Sequence, residues 1–187
     1  MAVDFFFEPA TFNITPLSQL RLQWSNIPNE QSLEIIIAEY QYLLFHFYLI
    51  KSIQHTGAGK VKNPTHIGKL EWGIRIGIVK VALLLASSII EEILLAHAIQ
   101  RGYELPKKEQ HRTFGKIIKA WKEVSPKDIN NKRWKQIEWL NDARNNIHLH
   151  KLVKTKEDFY RALHKEENKY LNGVSDLIDF LKEIKSK

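Results

Sequence analysis

Apolar residues recur along this chain at the three- and four-residue intervals of helices, and almost nowhere in the alternation of strands. The first sustained pattern follows Asn29, where Leu33, Ile36, Ile37, Tyr40, Leu43, Leu44, Phe47 and Ile50 fall on one side. It predicts a helix to about His55, with Asn29 as its cap before Glu30 and Gln31. TGAGKVKNPTHIGK, with three glycines, a proline and several lysines, then reads as a connecting loop. The longest pattern runs from Leu70 to Gly102. Ile76, Val79, Leu83, Ile90, Leu94 and His97 share a side, and Leu84, Leu85, Ile89 and Ile93 widen the stripe. That width predicts a helix covered by several neighbours, stopped at Gly102.

Thr113 to Val124 predicts a shorter amphipathic helix built on Phe114, Ile117, Ile118 and Trp121. Ser125-Pro126 breaks it, and SPKD reads as the start of the next helix, whose apolar face is Trp134, Ile137, Leu140 and Ile147. A last helix is predicted from about Lys156 to Lys185 on Phe159, Leu163, Tyr170, Val174, Leu177, Leu181 and Ile184. Upstream, residues 1–28 mix aromatic side chains with Pro9, Pro16 and Pro28, which excludes one long helix and leaves short elements packed on a core. The expected architecture is an all-α antiparallel bundle of about five helices in a single domain, residues 29–187, after an irregular N-terminal arm, residues 1–28.

Composition narrows the function classes. At 187 residues, with 44% hydrophobic and 26% charged, the chain can bury a substantial core without cross-links. It contains no cysteine, which excludes disulfides, thiolate nucleophiles and cysteine-bound zinc. The N-terminus carries Asp4, Glu8 and Pro9 where an export signal needs a basic start and a longer apolar run, and the uncharged stretch Val81–Ile90 is too short to span a bilayer. A cytoplasmic location without membrane attachment is therefore expected. The net charge of +7 favours an anionic partner such as RNA.

LNDARNNIHLHK, Leu140 to Lys151, gathers the candidate chemistry. If the helix continues through it, Arg144 and His148 are one turn apart on one face, and His150 is rotated away. If the helix frays near Asn146 or Ile147, the His148-Leu149-His150 alternation puts both imidazoles on one side and lets His150 swing over Arg144. An arginine beside a histidine suits phosphodiester cleavage in RNA. Neutral imidazole can take the 2′-hydroxyl proton, and a permanently charged guanidinium can stabilise the crowded phosphorane-like state. The nucleophile belongs to the substrate, so the products are a 2′,3′-cyclic phosphate and a 5′-hydroxyl. A two-fold dimer that joins two clusters in one groove would supply a second imidazole for the leaving oxygen.

An R-N-x-x-H-x-H run at the end of the penultimate helix of an all-α bundle resembles the HEPN family, whose signature is an arginine, four to six residues, then a histidine. Arg144 and His150 fit, with five residues between them, and Asn145 is the polar residue after the arginine. ASSIIEEILLAHAIQRG is similar to the family's second long helix and HRTFGKIIKAW to the shorter helix before the motif. The similarity covers about Asn29 to Lys185 and leaves out the arm. It implies a metal-independent endoribonuclease that acts as a toxin or phage-defence effector. Such a protein would work as a homodimer with two motifs lining one cleft and could be paired with an antitoxin protein. Arg144 and His150 would be catalytic, supported by His148 and Asn145. His148, three residues beyond Arg144, lies outside the spacing. The same residues contain the shortened R-N-x-x-H of non-catalytic members, which leaves open a module that binds nucleotide, RNA or a partner protein.

Plainer roles stand beside these. Arg144 can pair with Glu138 or Asp142 on a solvated face, Asn145 or Asn146 can cap the helix end, and His148 can be a packed side chain beside Leu140 and Ile147. Glu91-Glu92 reads as a solvated stripe between packed faces, with the alternative that Glu92 orients Arg144 or a histidine. His97 reads as core and His111 as surface. Trp134 and Trp139 can stack on bases but sit on an apolar stripe, the usual mark of core. From Lys127 to Lys156 basic residues outnumber acidic ones, which suits a polyanion groove. His148 and His150 lack a third ligand at metal-binding spacing, and GAGK lacks the first glycine and the hydroxyl residue of a phosphate loop, so neither metal nor cofactor is expected.

Overall fold

The computed structural model describes residues 5–7, 13, 15–55, 69–70, 72–146 and 171–184. The fold is an all-α bundle. Its described helices are α1 (Leu17–Gln23), α2 (Glu30–Ser52), α3 (Trp72–Gln100), α4 (Phe114–Val124), α5 (Asn131–Asn146) and α6 (residues 171–182). A small antiparallel ribbon is added to the bundle. In it β1 (Phe5–Phe7) lies between β2 (Ile53–His55) and β3 (Lys69–Leu70), with Phe5 opposite both His55 and Leu70. The helix expected to reach His55 therefore ends at Ser52, because the next three residues turn their backbone groups to β1. Three-residue strands carry too little alternation to register in a pattern of period two.

Each helix follows from its own residues. Asn29 Oδ1 accepts the Ser32 amide at 3.0 Å and so caps α2. α3 stops where Gly102 adopts φ 67°, and the Tyr103 amide reaches back to the Ala98 carbonyl at 2.9 Å, the closure that a left-handed residue permits. The start of α5 differs from expectation. Residues 126–128 form a turn, and the cap is Asn130, whose Oδ1 accepts the Arg133 amide at 3.0 Å. An asparagine carboxamide directly before the helix meets the exposed amides better than an aspartate two residues earlier can.

α4 runs antiparallel to α5, with Lys122 meeting Glu138 and Gly115 facing Asn141. α6 runs antiparallel to α5, with Gly173 near Gln136 and the Arg133 guanidinium over the Phe180 ring. α3 and α5 therefore point the same way. The core between them holds Ile36, Leu43, Ile89, Ile90, Ile93, Leu94, Ile117, Trp121, Ile137, Leu177 and Leu181, all fully buried. Each such side chain contributes about 1.5–3 kcal/mol relative to exposure. The same core takes in Leu20, Trp24 and Ile27, so the second half of the predicted arm is part of the bundle. Proline at position 16 starts α1 and does not exclude it, since a helix has no bond for that amide to make.

Among the described residues α2 alone is long and apolar enough by composition to cross a membrane. Its Leu33, Ile36, Ile37, Leu43 and Ile50 form one face buried in the core, while Ile35, Tyr42 and Phe45 are exposed.

Candidate functional site

Arg144 stands on the last turn of α5, its side chain 37% exposed, and its Nη1 pairs with Glu91 Oε2 of α3. This placement follows from the packing of two parallel helices. Ser87 Oγ donates to the Leu83 carbonyl at 2.8 Å on its own helix and lies 3.4 Å from the Leu140 carbonyl of α5. One turn further along both helices, the same register brings Glu91 to Arg144. The partners named from sequence are engaged differently. Glu138 receives Lys122 at 2.5 Å, Asp142 is exposed, and Glu91 rather than Glu92 carries the ion pair.

A second carboxyl enters from α2. Glu39 Oε1 accepts a hydrogen bond from Ser88 Oγ at 3.4 Å, while its Oε2 is buried without a partner among the described residues. Burial raises its pKa above the ordinary carboxylate value. The Ser88 bond opposes the shift, Glu92 adds to it, and Arg144 opposes it. Arg144 of α5 thus has Glu91 of α3 as its partner and Glu39 of α2 within its field, and Glu92 lies near Glu39. Among the described residues no group of three or more histidine, aspartate or glutamate side chains is set to hold a metal ion.

Asn145 is exposed, on the side of α5 that continues the line of Asn141 toward the start of α4. α5 is helical through Asn146, the last of the described residues before the expected helix end. His148 and His150 lie outside the described residues, as do Ile147 and the first part of the expected last helix. Trp134 is buried with Nε1 donating to the Pro126 carbonyl at 3.2 Å, and Trp139 packs partly buried against the core, which removes Trp134 as a base-stacking platform. His111 is exposed.

Sequence reasoning passed over a buried polar group at the far end of α3. The Arg101 side chain is only 6% exposed; it meets Asp128 at 2.5 Å and the Tyr103 hydroxyl at 3.2 Å, and it lies over the Trp121 ring at 4.8 Å. Tyr103 in turn donates to Ser125 Oγ at 2.7 Å. One turn before Arg101, His97 is fully buried, and neither ring nitrogen has a hydrogen-bond partner among the described residues. Burial, helped by the Arg101 charge, lowers its pKa to about 4, so it is neutral at neutral pH. The only sequence signal for this group was His97 itself, at an apolar position of the α3 pattern.

No family model, curated protein or solved structure matches this chain.

Proposed function

We propose that the protein is a metal-independent endoribonuclease of the HEPN kind, acting as a toxin or phage-defence effector. The observation that supports this reading most is the setting of Arg144. Its guanidinium is partly exposed, at the end of α5 from which the His148-Leu149-His150 run follows, and it is held from α3 by one edge. An arginine presents five N–H donors, so a carboxylate on one side leaves donors for a phosphate on the other. In the proposed reaction the 2′-oxygen attacks phosphorus, its proton passes to the His150 imidazole, and the 5′-oxygen leaves with a proton from a second imidazole. Arg144 carries the charge that builds on the phosphate oxygens, and His148 and Asn145 support the pair.

The second imidazole calls for a homodimer. Ile35, Tyr42 and Phe45 on α2 and Leu84 on α3 are exposed apolar side chains, a face suited to such an association. Sedimentation at micromolar concentration should give a dimer, and Phe45→Glu should shift it to monomer.

A second reading, a non-catalytic module that binds nucleotide, RNA or a partner protein, draws support from the ion pair. Glu91 already offsets the charge of Arg144, which weakens the guanidinium's hold on a phosphate. Cleavage of total RNA in excess chelator separates the two. The wild type should cut and leave 2′,3′-cyclic phosphate ends, whereas Arg144→Ala and His150→Ala should not. A folded dimer that leaves RNA intact would sink the enzyme reading. Loss with His148→Ala but not with His150→Ala would reassign the active histidine.

A further inference from the structure

Residues 101–146, which contain α4 and α5, hold twelve lysines and arginines against six aspartates and glutamates, a formal +6 of the chain's +7. Residues 1–100 are close to neutral, with seven against eight, and their Glu39 and Glu91 sit behind Arg144. Charge is therefore divided across the molecule. The α4–α5 hairpin is basic, and the side of Arg144 that faces α2 and α3 is acidic.

The hairpin's exposed side chains give the division a shape. Phe114, Ile117, Ile118 and Trp121 turn α4 inward, which leaves Lys116 and Lys119 on its outer line at helical spacing. On α5 the buried Trp134, Ile137 and Leu140 leave Lys132 and Lys135 outward. The two lines lie side by side because α4 and α5 are antiparallel, joined across the seam by Lys122 and Glu138 and by the close approach of Gly115 to Asn141. Lys119 meets Glu123 at 3.7 Å, a solvent-facing pair that a polyanion can displace at little cost. Lys132 and Lys135 lie on the side of α5 away from α3, whereas Arg144, one turn beyond buried Leu140, lies on the α3 side, with exposed Asn145 beside it at the end of the helix.

We infer that the outer face of the α4–α5 hairpin, through Lys116, Lys119, Lys132 and Lys135, holds the phosphate backbone of an RNA strand, which reaches Arg144 by rounding the end of α5 past Asn145. The acidic α2–α3 side faces away from it. This rests on the ribonuclease reading for the identity of the strand, and on the charge division for its path. The contacts are to phosphates, so they set affinity and salt dependence and leave base sequence unread.

The test is fluorescence anisotropy of a labelled single-stranded RNA against salt, with the full chain carrying Lys116→Ala, Lys119→Ala and Lys135→Ala together. Wild type should bind with a steep salt dependence. The triple variant should lose about 2 from the slope of log affinity against log salt, at roughly 0.7 for each phosphate contact on a single strand. Lys51→Ala, an exposed charge removed from α2, should leave the slope unchanged. In cleavage the triple variant should raise KM with kcat little altered. An unchanged slope in the triple variant, or an equal loss with Lys51→Ala, overturns the path. So does binding to phosphatidylglycerol vesicles, with no binding to RNA, that the same three substitutions abolish. Wild type that binds RNA with the predicted slope but does not cut it supports the path and rejects the ribonuclease reading.

Discussion

Glu91 on α3 closes an ion pair with Arg144 on α5 one turn beyond the point where Ser87 Oγ meets the Leu140 carbonyl. The two partners are not equivalent. Removing Arg144 leaves the Glu91 carboxylate, 19% exposed, without its cation, whereas removing the Glu91 charge leaves the more exposed Arg144 guanidinium to water and the field of Glu39. Arg144→Ala is expected to cost about 2 kcal/mol of unfolding free energy and Glu91→Gln about 1 kcal/mol. The double variant should be less destabilised than the sum. Urea denaturation of the four proteins measures the coupling, and strict additivity would remove the pair as a stabilising contact.

Glu39 predicts a pH dependence of one sign. Its folded pKa is raised, so the folded state holds the proton more tightly than the unfolded chain does. The stability it gives is present below the unfolded carboxyl value and is lost as pH rises through the folded one. Glu39→Gln, which makes the neutral form permanent, should raise Tm at pH 7 and lose that advantage as pH falls below the ordinary carboxyl value of 4.5. Equal Tm differences at both pH values would contradict it.

His97 predicts the opposite sign. Its pKa falls from 6.5 to about 4 on folding, so the unfolded chain binds the extra proton between those values, and stability drops as pH is lowered through that window. His97→Leu keeps the volume and removes two buried nitrogens without partners among the described residues. It should hold or raise Tm at pH 7 and flatten the fall between pH 6.5 and 4, read by thermal denaturation across that range. An acid limb as steep as that of the wild type would locate the sensitivity elsewhere.

Arg101 and Asp128 join the end of α3 to the turn before α5, with Trp121 beneath the guanidinium. Asp128→Asn leaves a charge that is almost fully enclosed with a weaker partner. The expected cost is about 2–3 kcal/mol, accompanied by a change in tryptophan emission. Arg101→Lys should not restore stability, because a point charge cannot serve Asp128, the Tyr103 hydroxyl and the indole face together.

The elements that sequence reasoning found are those whose signal lies within one helix. Asn29 as a cap, Gly102 as a stop and the Phe114–Ile117–Ile118–Trp121 stripe each depend on neighbours within two turns. What it missed depends on how helices meet. Glu91 and Glu92 are adjacent in sequence but about 100° apart around α3, and only the rotation of α3 against α5 selects the one that reaches Arg144. The arm reads as short elements packed on a core, and the assembled bundle singles out Trp24 as one of the side chains buried there. Asn130 and SPKD both carry start signals, and the turn at residues 126–128 decides between them.

Asn26, just after α1, donates from Nδ2 to the carbonyls of Leu181 and Ile184 at 3.1 and 3.0 Å, and Lys182 reaches the Tyr40 hydroxyl at 3.0 Å. The earliest-made and latest-made helices of the described bundle are thus each other's neighbours. During translation α1 and α2 emerge with Leu20, Trp24 and Tyr40 facing an absent partner, and the core stays open along that side until residue 184 has been added. Arg144 and Asn145 are synthesised before that closure, so a nascent chain carries its motif for some time in an unfinished bundle. The order of synthesis thereby delays any activity of the site until α6 has been made.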